Sequence, residues 1–445
     1  MAIADLMERL KRPGALDAPE DEGLQAGSLA AGRARLKLPA RKTMFTGLDI
    51  GTTKICAIIG EIDPLGQVTI LGLASTPSQG LRRGVVINLD ETIDSIRTAI
   101  RKAEDIAQVY VRDVFVGIAG GHIQCHQLRA TVDVANPERG VTRSDIRRVL
   151  HRATENQVPP EREILHQIPQ RFVIDDGPIL DPTGFSSRKL TVEVLLVTAA
   201  VTSAQNIIRA VSQGGFRVAG IYLEPLASSL AILTEQEKEL GVVMVDIGGG
   251  TSDIAIWADG AVRYTGVVPF GGDAVTEDIS KGLKISRYDA ENLKKRFGHC
   301  LAHEIDPEEQ VQVPAAMTGQ TLTESRRFLA QIIECRMEEM LEMVKEKIER
   351  HPAYHQAYGG LVLTGGGSLQ KGLCPLGERV FGKQCKLGSP SGLSGLSGIV
   401  SSPIYSTGVG LVIYGLEHER ERQFLDGNAF QRIVGRLKSV IDWYG

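Results

Sequence analysis

Two segments of the chain share one pattern of apolar and polar positions, although about two hundred residues separate them. The first, FTGLDIGTTKICAIIG, begins at Phe45, and the second, VVMVDIGGGTSDIAIW, begins at Val242. In each, β-prone apolar residues lead to Asp-Ile-Gly, a short turn follows, and a second apolar run leaves the turn. Apolar runs of this length, bounded by glycine, predict buried strands. Each segment is therefore predicted to be a strand, a tight turn and a second strand.

In the rest of the chain, segments whose apolar residues have helical spacing alternate with segments whose apolar residues are typical of strands. The block from about Val114 to Ile174 mixes short strands with one helix, for which Thr142-Arg-Ser-Asp145 offers a capping box. Later segments place helices after apolar strands, and a long helical stretch precedes the turn LTGGGS. Helices thus follow strands in several parts of the chain. One early helix shows its apolar face at Ile93, Ile96, Ile100, Ala103 and Ala107.

Composition and charge narrow the class of protein. The chain has 445 residues, of which 42% are hydrophobic and 23% charged, so it has room for more than one globular domain. Its formal net charge of -4 gives no overall footprint for nucleic-acid binding, and no nucleic-acid partner is expected. The six scattered cysteines lack CxxC spacing and are expected to be unpaired thiols. No apolar run approaches the ~20 residues of a spanning helix, so a cytoplasmic protein is expected unless something anchors it.

The two Asp-Gly turns carry the strongest candidate chemistry. Glycines let backbone N–H groups approach an anion, and a neighbouring carboxylate can hold a hydrated magnesium ion. One such turn is equally consistent with a hairpin that binds no ligand, whereas two can clasp a phosphate chain from both sides. The chain has no GxxxxGK[ST] motif and no GxGxxG between a strand and a helix. The predicted phosphate and magnesium residues are Asp49, Gly51, Thr52, Thr53, Lys54, Asp246, Gly248, Gly249, Gly250 and Thr251.

Two further features are candidates for the phosphate side of such a site. Glu224 stands at the entrance of a helix, where it is placed either to orient water for attack on a γ-phosphate or to stabilise the helix dipole. Gly271 and Gly272 open another helix, and the free N–H groups of a helix N-terminus are a good place for an anion. Lys54 is either a phosphate contact or a solvated strand residue.

A nucleoside would need a flat surface and polar contacts. The glycine-rich turn Gly365, Gly366, Gly367 and Ser368 follows directly from a strand and would let a base lie against the backbone. On one predicted helix, Glu291, Lys294 and Lys295 share a face and are placed to contact ribose or base, although an exposed cluster of charge pairs has the same spacing.

Taken together and in this order, DIGTTK, LEPLASS, VDIGGGTSDIA, FGGD, ENLKKRFG and LTGGGS resemble the actin and Hsp70 ATPase superfamily, and within it the FtsA family of bacterial cell-division proteins. The resemblance extends from about Phe45 to the C-terminus. It implies an actin-like fold in which two duplicated α/β halves enclose a nucleotide cleft, with ATP and Mg²⁺ as ligands and weak hydrolysis. It also implies that Asp49 and Asp246 serve the ion through water and that Glu224 orients the attacking water.

The resemblance further implies a division into domains. The predicted units are an N-terminal extension without a packed core (1–43), the first part of domain 1 (44–84), an inserted contact subdomain (85–168), the rest of domain 1 (169–222), domain 2 (223–405) with a partner and nucleoside subdomain at about 271–320, a closing helix (406–416), a linker (417–427) and a terminal amphipathic helix (428–445).

The terminal segment NAFQRIVGRLKSVIDWYG has its own pattern. Its apolar residues recur at helical spacing on one face, its basic residues lie off that face, and FtsA-family proteins carry a membrane-targeting helix at this place. Such a helix suits the interface of an anionic membrane, while docking on the protein itself or on a partner remains the alternative. The predicted membrane residues are Phe430, Arg432, Ile433, Val434, Arg436, Leu437, Lys438, Ile441, Trp443 and Tyr444.

The resemblance therefore predicts an ATP-binding, actin-like protein that polymerises and tethers the tubulin-like FtsZ ring to the membrane. Its predicted location is peripheral, on the cytoplasmic side of the plasma membrane at the division septum. FtsZ would bind the subdomain that holds SKGLKISRYDAENLKKRFG, and the inserted subdomain would contact filament neighbours or later division proteins. The alternatives are a pilus-assembly protein resembling PilM, which would not need the terminal helix, and a sugar or acetate kinase, which would need a catalytic base beyond Glu224.

Overall fold

The strands and helices occur within the residues that the computed structural model describes, 43–63, 66–175, 177–314 and 321–425. The strands are β1 (Thr43–Ile50), β2 (Lys54–Ile62), β3 (Val68–Pro77), β4 (Leu81–Arg82), β5 (Val85–Val86), β6 (Asp113–Ile118), β7 (Gln124–Asp133), β8 (Arg162–Ile174), β9 (Gly177–Ile179), β10 (Lys189–Ala200), β11 (Arg217–Leu223), β12 (Val242–Ile247), β13 (Ser252–Ala258), β14 (Ala261–Val268), β15 (Gln310–Pro314), β16 (Thr321–Ser325), β17 (Leu361–Thr364), β18 (Cys385–Leu387) and β19 (Ser394–Gly395).

The helices connect and cover these strands. They are α1 (Leu89–Ala107), α2 (Arg143–Thr154), α3 (Val201–Gln213), α4 (Glu224–Ile232), α5 (Glu235–Leu240), α6 (Gly272–Leu283), α7 (Arg287–Phe297), α8 (Arg326–Ile348), α9 (Pro352–Gln356), α10 (Leu373–Phe381), α11 (Ser397–Val400) and α12 (Ser406–Leu425).

Two sheets have the same strand connectivity. In the first half, β3, β2, β1, β6 and β11 lie side by side, with β19 added beyond β3. In the second half, β14, β13, β12, β17 and β18 follow the same order. The first three strands of each sheet form an antiparallel meander, and the other two run parallel to the first. The fold is therefore a duplication, with β1–β2 and β12–β13 in equivalent positions.

Each sheet is buried on both faces, which explains why its strands are almost continuously apolar. Helices α1 and α3 cover the outer face of the first sheet, and α6, α7 and α8 cover that of the second. Between the sheets, α4 and α12 share one core with residues of both halves, including Ile58 and Met244. The two halves are thus joined by a pair of helices, and both hairpin turns open on the same side of that pair.

A third sheet forms a separate inserted unit, with strand order β7, β10, β8 and β9. Helix α2 covers it, and the predicted capping box is confirmed because Thr142 accepts from the Asp145 backbone while Asp145 accepts from the Thr142 backbone. Two predicted limits differ from this sheet. Residue 168, the predicted end of the unit, falls inside β8, and α1, predicted within the unit, packs on the first sheet. Strand pairing between β8 and β10 crosses the predicted limit and holds the later strands in the unit.

Two other elements depart from the sequence predictions. The predicted linker from residue 417 is helical as far as Leu425, because the run of Glu, Arg and Gln after His418 contains no glycine or proline to end α12. A hairpin of β15 and β16 was not predicted. The N-terminal extension to residue 42 and the predicted helix 428–445 lie outside the described residues. Among the described residues, no helix combines the length and apolar character that crossing a membrane requires.

Candidate functional site

A cleft of about 560 Å³ lies between the two halves, and the β1–β2 and β12–β13 turns line it from opposite sides. It is also lined by Glu224, by Gly272, by the α7 residues Glu291, Lys294 and Lys295, and by the turn after β17. Of the predicted site residues in the described part of the chain, all line this cleft except Gly271 and Ser368. Gly271 packs against the carbonyls of Gly248 and Gly249, and Ser368 is buried, donating to the Gly365 carbonyl at 2.7 Å.

The two turns have matching backbone geometry. Gly51 N–H donates to the Lys54 carbonyl at 3.0 Å, and Gly248 N–H donates to the Thr251 carbonyl at 2.9 Å. The turns also approach each other closely, because a Cβ built on Gly249 would lie only 1.8 Å from Thr53 Oγ1. A side chain at position 249 would therefore force Thr53 to move, and glycine lets the two turns lie this close.

The first turn contains its own countercharge. Lys54 Nζ lies 3.6 Å from Asp49 Oδ2 and donates to the Ile404 carbonyl at 2.8 Å. The ammonium also lies over the Tyr405 ring, 5.0 Å from its centre. Burial raises the pKa of Asp49 above its ordinary value, and the Lys54 charge offsets part of that increase. Lys54 is thus held inside the cleft rather than solvated on a strand.

The second turn places two carboxylates opposite each other. Asp246 and Asp253 are directly paired across β12 and β13. Hydroxyl groups donate to both, since Asp246 accepts from Ser228 Oγ at 2.6 Å and Asp253 accepts from Thr251 Oγ1 at 2.9 Å. Burial raises the pKa of Asp246 to about 6 and that of Asp253 to about 7, above the ordinary aspartate value of 3.8. A bound cation would stabilise the ionised form of both.

Glu224 begins α4, as predicted, and its side chain lies against Gly117 of β6. Burial raises the pKa of Glu224 well above its ordinary value, and the charges of Asp49, Asp253 and Asp246 raise it further. A carboxyl group in this environment is neutral over more of the pH range than a free glutamate. The Glu224 side chain is positioned to accept or donate a hydrogen bond in the cleft. Its carboxyl group carries a negative charge over less of the pH range than that of a free glutamate.

The N-terminus of α6 is not open to an anion in the way the sequence suggested. The N–H groups of Gly272 and Asp273 donate to the carbonyls of Gly248 and Gly249, at 2.9 and 2.8 Å. The expectation of free N–H groups here is therefore wrong, because the second turn folds back onto the start of the helix. Gly272 still lines the cleft, and the contact fixes the turn against α6.

The three charged residues of α7 form one network rather than three independent contacts. Glu291 pairs with Lys294 at 2.7 Å and Lys295 at 3.0 Å, and Lys294 also donates to the Gly272 carbonyl at 2.9 Å. Burial alone would raise the pKa of Glu291, but the two ammonium groups and a Thr276 hydroxyl outweigh it and lower the pKa to about 2. Glu291 therefore enters any ligand contact as an anion.

Several residues that line the cleft were not predicted. Asp253 is the most consequential, and its signal was available, because a four-residue turn places it across from Asp246 in an antiparallel hairpin. Six others come from segments whose sequence carries no phosphate-type pattern. They are Gly117, Gln370, Lys371, Pro403, Ile404 and Thr407.

The donor set fits a nucleotide and a hydrated divalent cation. Glycine backbone lines both the phosphate side and the turn after β17, where a Cβ on Gly366 would meet nothing nearer than Ile404 at 4.0 Å. Within the described ranges, no three carboxylate, histidine or cysteine side chains converge closely enough to hold a metal ion directly. Carboxylates at such spacing hold Mg²⁺ through its water ligands, because this ion dehydrates reluctantly.

Comparison with known proteins shows which protein family has a similar sequence. The family model described as cell division protein FtsA matches residues 243–410, and the model of the SHS2 domain inserted in FtsA matches residues 120–198. The cell division protein FtsA of Pseudomonas aeruginosa is 41% identical over 379 residues, which are 85% of this chain and 90% of that protein. The chain belongs to the FtsA family. The resemblance inferred from the motifs is thus confirmed, and a cell-division role follows from FtsA membership.

Solved structures support the fold of this FtsA-family chain. A PilM–PilN type IV pilus biogenesis complex superposes with a TM-score of 0.62 at 16% identity, covering 84% of this chain and 98% of that chain. MreB5 of Spiroplasma citri bound to ADP gives a TM-score of 0.55 at 14% identity, covering 86% and 98%. At these identities the likeness concerns the fold alone. The predicted actin-like α/β fold with an inserted unit is confirmed.

Proposed function

We propose that this protein binds ATP with Mg²⁺ in the cleft and acts as an actin-like filament that tethers the FtsZ ring to the cytoplasmic face of the plasma membrane at the septum. The observation that carries the nucleotide part is the pairing of two equivalent Asp-Gly turns across one cleft. Membership of the FtsA family supports the division role. The recruitment of later division proteins is part of the same proposal.

Each part of the cleft has a role in this proposal. The turn from Gly51 to Lys54 and the turn from Gly248 to Thr251 hold the phosphates, and the turn from Gly365 to Gly367 receives the nucleoside. Asp49 and Asp246 face the hydrated cation, which supplies positive charge between the buried carboxylates and the phosphates. Glu291, Lys294 and Lys295 present charged groups to the ribose and base. This division of labour follows the duplicated fold, because each half provides one phosphate turn.

Hydrolysis is secondary in this proposal. The raised pKa of Glu224 keeps its carboxyl group protonated to a higher pH than that of a free glutamate, so a smaller fraction is ionised and able to accept a proton from water. Lys54 and the closely approaching turns instead favour a role in holding the two halves together. The nucleotide is therefore proposed to stabilise the closed, assembly-competent arrangement, with slow turnover resetting it.

Membrane attachment is proposed for the terminal segment 428–445, on the basis of its sequence pattern. Liposome co-sedimentation of the full chain and of a chain ending before Asn428 tests this directly. A sharper test compares Leu437→Glu, on the apolar face, with Ser439→Glu, on the opposite face of the predicted helix. Both add one negative charge, so a loss confined to Leu437→Glu supports interfacial insertion, and equal retention of both variants on liposomes contradicts it.

Tethering is tested by adding the full-length protein and FtsZ filaments to liposomes. Recruitment of FtsZ only when this protein and its terminal segment are present is the expected result. No recruitment under conditions where the protein itself binds the liposomes would contradict the adaptor role. Phosphorylation of a small sugar or acetate in the same preparation would favour the kinase alternative. The pilus-assembly alternative is disfavoured by the 41% identity to an FtsA protein, against 16% for the PilM complex.

A further inference from the structure

A pair of buried hydroxyl groups holds one oxygen of Asp246. Ser228 Oγ donates to Asp246 Oδ2 at 2.6 Å, and Thr407 Oγ1 donates to the same oxygen at 3.3 Å. The two hydroxyls are also 3.0 Å from each other. Ser228 is fully buried, and Thr407 is 8% exposed. Asp246 Oδ2 thus lies at the centre of a closed three-residue network.

The other oxygen of Asp246 is directed elsewhere. Oδ1 lies beside the turn that begins at Gly365, where a Cβ would come within 2.2 Å of it. Because the hydroxyl pair occupies Oδ2, the carboxylate cannot rotate freely about its own axis. The network therefore fixes the plane of the Asp246 carboxylate relative to the cleft.

The two hydroxyls come from the helices that join the halves. Ser228 belongs to α4, and Thr407 belongs to the first turn of α12. These helices cross in close contact, since a Cβ on Gly410 would lie 1.8 Å from the Ala227 carbonyl oxygen. Any shift of α12 along α4 would separate Thr407 from Ser228 and change the donors on Asp246.

We propose that Ser228 and Thr407 are positioning residues, which orient Asp246 toward the hydrated cation and make that orientation depend on how α4 and α12 cross. This inference rests on the proposed nucleotide and Mg²⁺ site. It gives a role to a serine and a threonine that are buried where the two helices cross, at positions where an alanine and a valine would fill the same space. It also joins the cleft to α12, the helix that ends three residues before the segment proposed to bind membrane.

The chain supplies matched controls for this proposal. Ser229 follows Ser228 on α4 and is equally buried, but its hydroxyl donates to the Pro225 carbonyl at 2.7 Å and accepts from the Trp257 indole at 3.0 Å. Ser229→Ala therefore removes a buried hydroxyl from the same helix without touching Asp246. Thr407→Ser keeps the hydroxyl of Thr407 and removes only a methyl group.

The experiment measures the affinity of the full-length protein for ATP by calorimetry, once with excess Mg²⁺ and once with a chelator. In Ser228→Ala and Thr407→Val, the gain in affinity that Mg²⁺ provides should fall by roughly 10- to 100-fold, the usual cost of losing a residue that orients a metal ligand. Affinity in the chelator should fall much less than the Mg²⁺ gain in Ser228→Ala, because Ser228 does not line the cleft and the phosphate turns are unchanged. Ser229→Ala and Thr407→Ser should keep the Mg²⁺ gain.

Thermal unfolding of each variant without ligand shows whether it is folded before titration. If Ser228→Ala does not fold, the comparison of Thr407→Val with Thr407→Ser decides the proposal. A full Mg²⁺ gain in both Ser228→Ala and Thr407→Val, or an equal loss in Ser229→Ala, would overturn the positioning role. Absence of ATP binding by the unaltered protein would overturn the proposed function itself, so the two failures are distinguishable.

Discussion

The two halves of the molecule carry the same hairpin with different chemistry. In the first, Asp49 is paired across the strands with Cys56, and in the second, Asp246 is paired with Asp253. The residue that closes the turn differs as well, being Lys54 in the first half and Thr251 in the second. The same type of hairpin thus provides an ion pair of Asp49 with Lys54 on one side of the cleft. On the other side it provides two aspartates, Asp246 and Asp253.

The difference shows where a cation would contribute most. In the first half, the Lys54 ammonium already offsets part of the cost of burying Asp49. In the second half, the donors to Asp246 and Asp253 are neutral groups, namely hydroxyls and, for Asp253, also the Gly120 backbone N–H, and the two pKa values are raised to about 6 and about 7. Neutral hydrogen bonds compensate a buried charge less than an opposite charge does. The second half is therefore expected to carry most of the dependence on Mg²⁺.

The largest expected effect comes from removing the acid of the second turn. Asp246→Ala should lower the Mg²⁺-dependent affinity for ATP by on the order of 100-fold or more, because it removes the carboxylate that is proposed to face the ion. Asp49→Ala should lower it less, since Lys54 remains to hold phosphate. Calorimetry with and without Mg²⁺ measures both variants. Equal losses of Mg²⁺-dependent affinity in the two variants would contradict the proposed difference between the two halves.

A medium effect is expected from separating the two turns. Gly249→Ala places a methyl group against Thr53 Oγ1, and forcing an extra group into a close contact costs about 1–3 kcal/mol. The free energy of unfolding should fall by that amount, and the affinity for ATP should weaken. The double variant Gly249→Ala with Thr53→Ala should recover part of the loss.

Gly366→Ala is the matched control for this contact. It adds the same methyl group to a cleft-lining turn, but that group meets nothing nearer than 4.0 Å. Chemical denaturation of the unaltered protein, Gly249→Ala and Gly366→Ala measures the free energy of unfolding of each. A loss of stability in Gly366→Ala as large as that in Gly249→Ala would show that the closeness of the two turns is not the cause.

The smallest effect concerns stability without ligand. The pKa of Asp253 is about 7 in the folded protein, against an ordinary value of 3.8, so the folded state binds more protons than the unfolded state between these pH values. The free energy of unfolding should therefore fall as the pH rises from about 4 to about 7. Asp253→Asn cannot ionise and should be more stable than the unaltered protein by up to about 4 kcal/mol at pH 8, with little difference at pH 4.

The control for that measurement lies on the same hairpin. Asp259 is largely exposed and pairs with Arg263, so Asp259→Asn should not be stabilising at any pH. Denaturant unfolding over the pH range 4 to 8 provides the comparison. A ligand-free Asp253→Asn protein that is less stable than the unaltered protein at pH 8 would contradict the description of Asp253 as a buried acid whose pKa is raised by burial.

The parts of the site that were predictable are those encoded in local sequence. The Asp-Gly turns, the helix entrance at Glu224 and the turn after β17 each depend on a few adjacent residues whose backbone preferences are strong. Counting across the turn would also have found Asp253. These short segments carried enough information to identify the fold as well as most of the cleft.

The parts that were missed depend on contacts between distant segments. The Gly272 N–H group donates to the Gly248 carbonyl, and neither segment has a sequence pattern that predicts this tertiary contact. The extent of the inserted unit depends on the pairing of β8 with β10, and the hydroxyl of Thr407 reaches Asp246 only because α12 crosses α4. Pattern and propensity describe elements, whereas these features arise from how the elements pack.

Two unequal turns are proposed to form one site for a nucleotide with its cation. Calorimetric titration of the full-length protein with ATP, in excess Mg²⁺ and then in a chelator, is the decisive measurement. We expect one binding site per chain, with clearly higher affinity in Mg²⁺. Failure to bind ATP in either condition, or equal affinity in both, would contradict it.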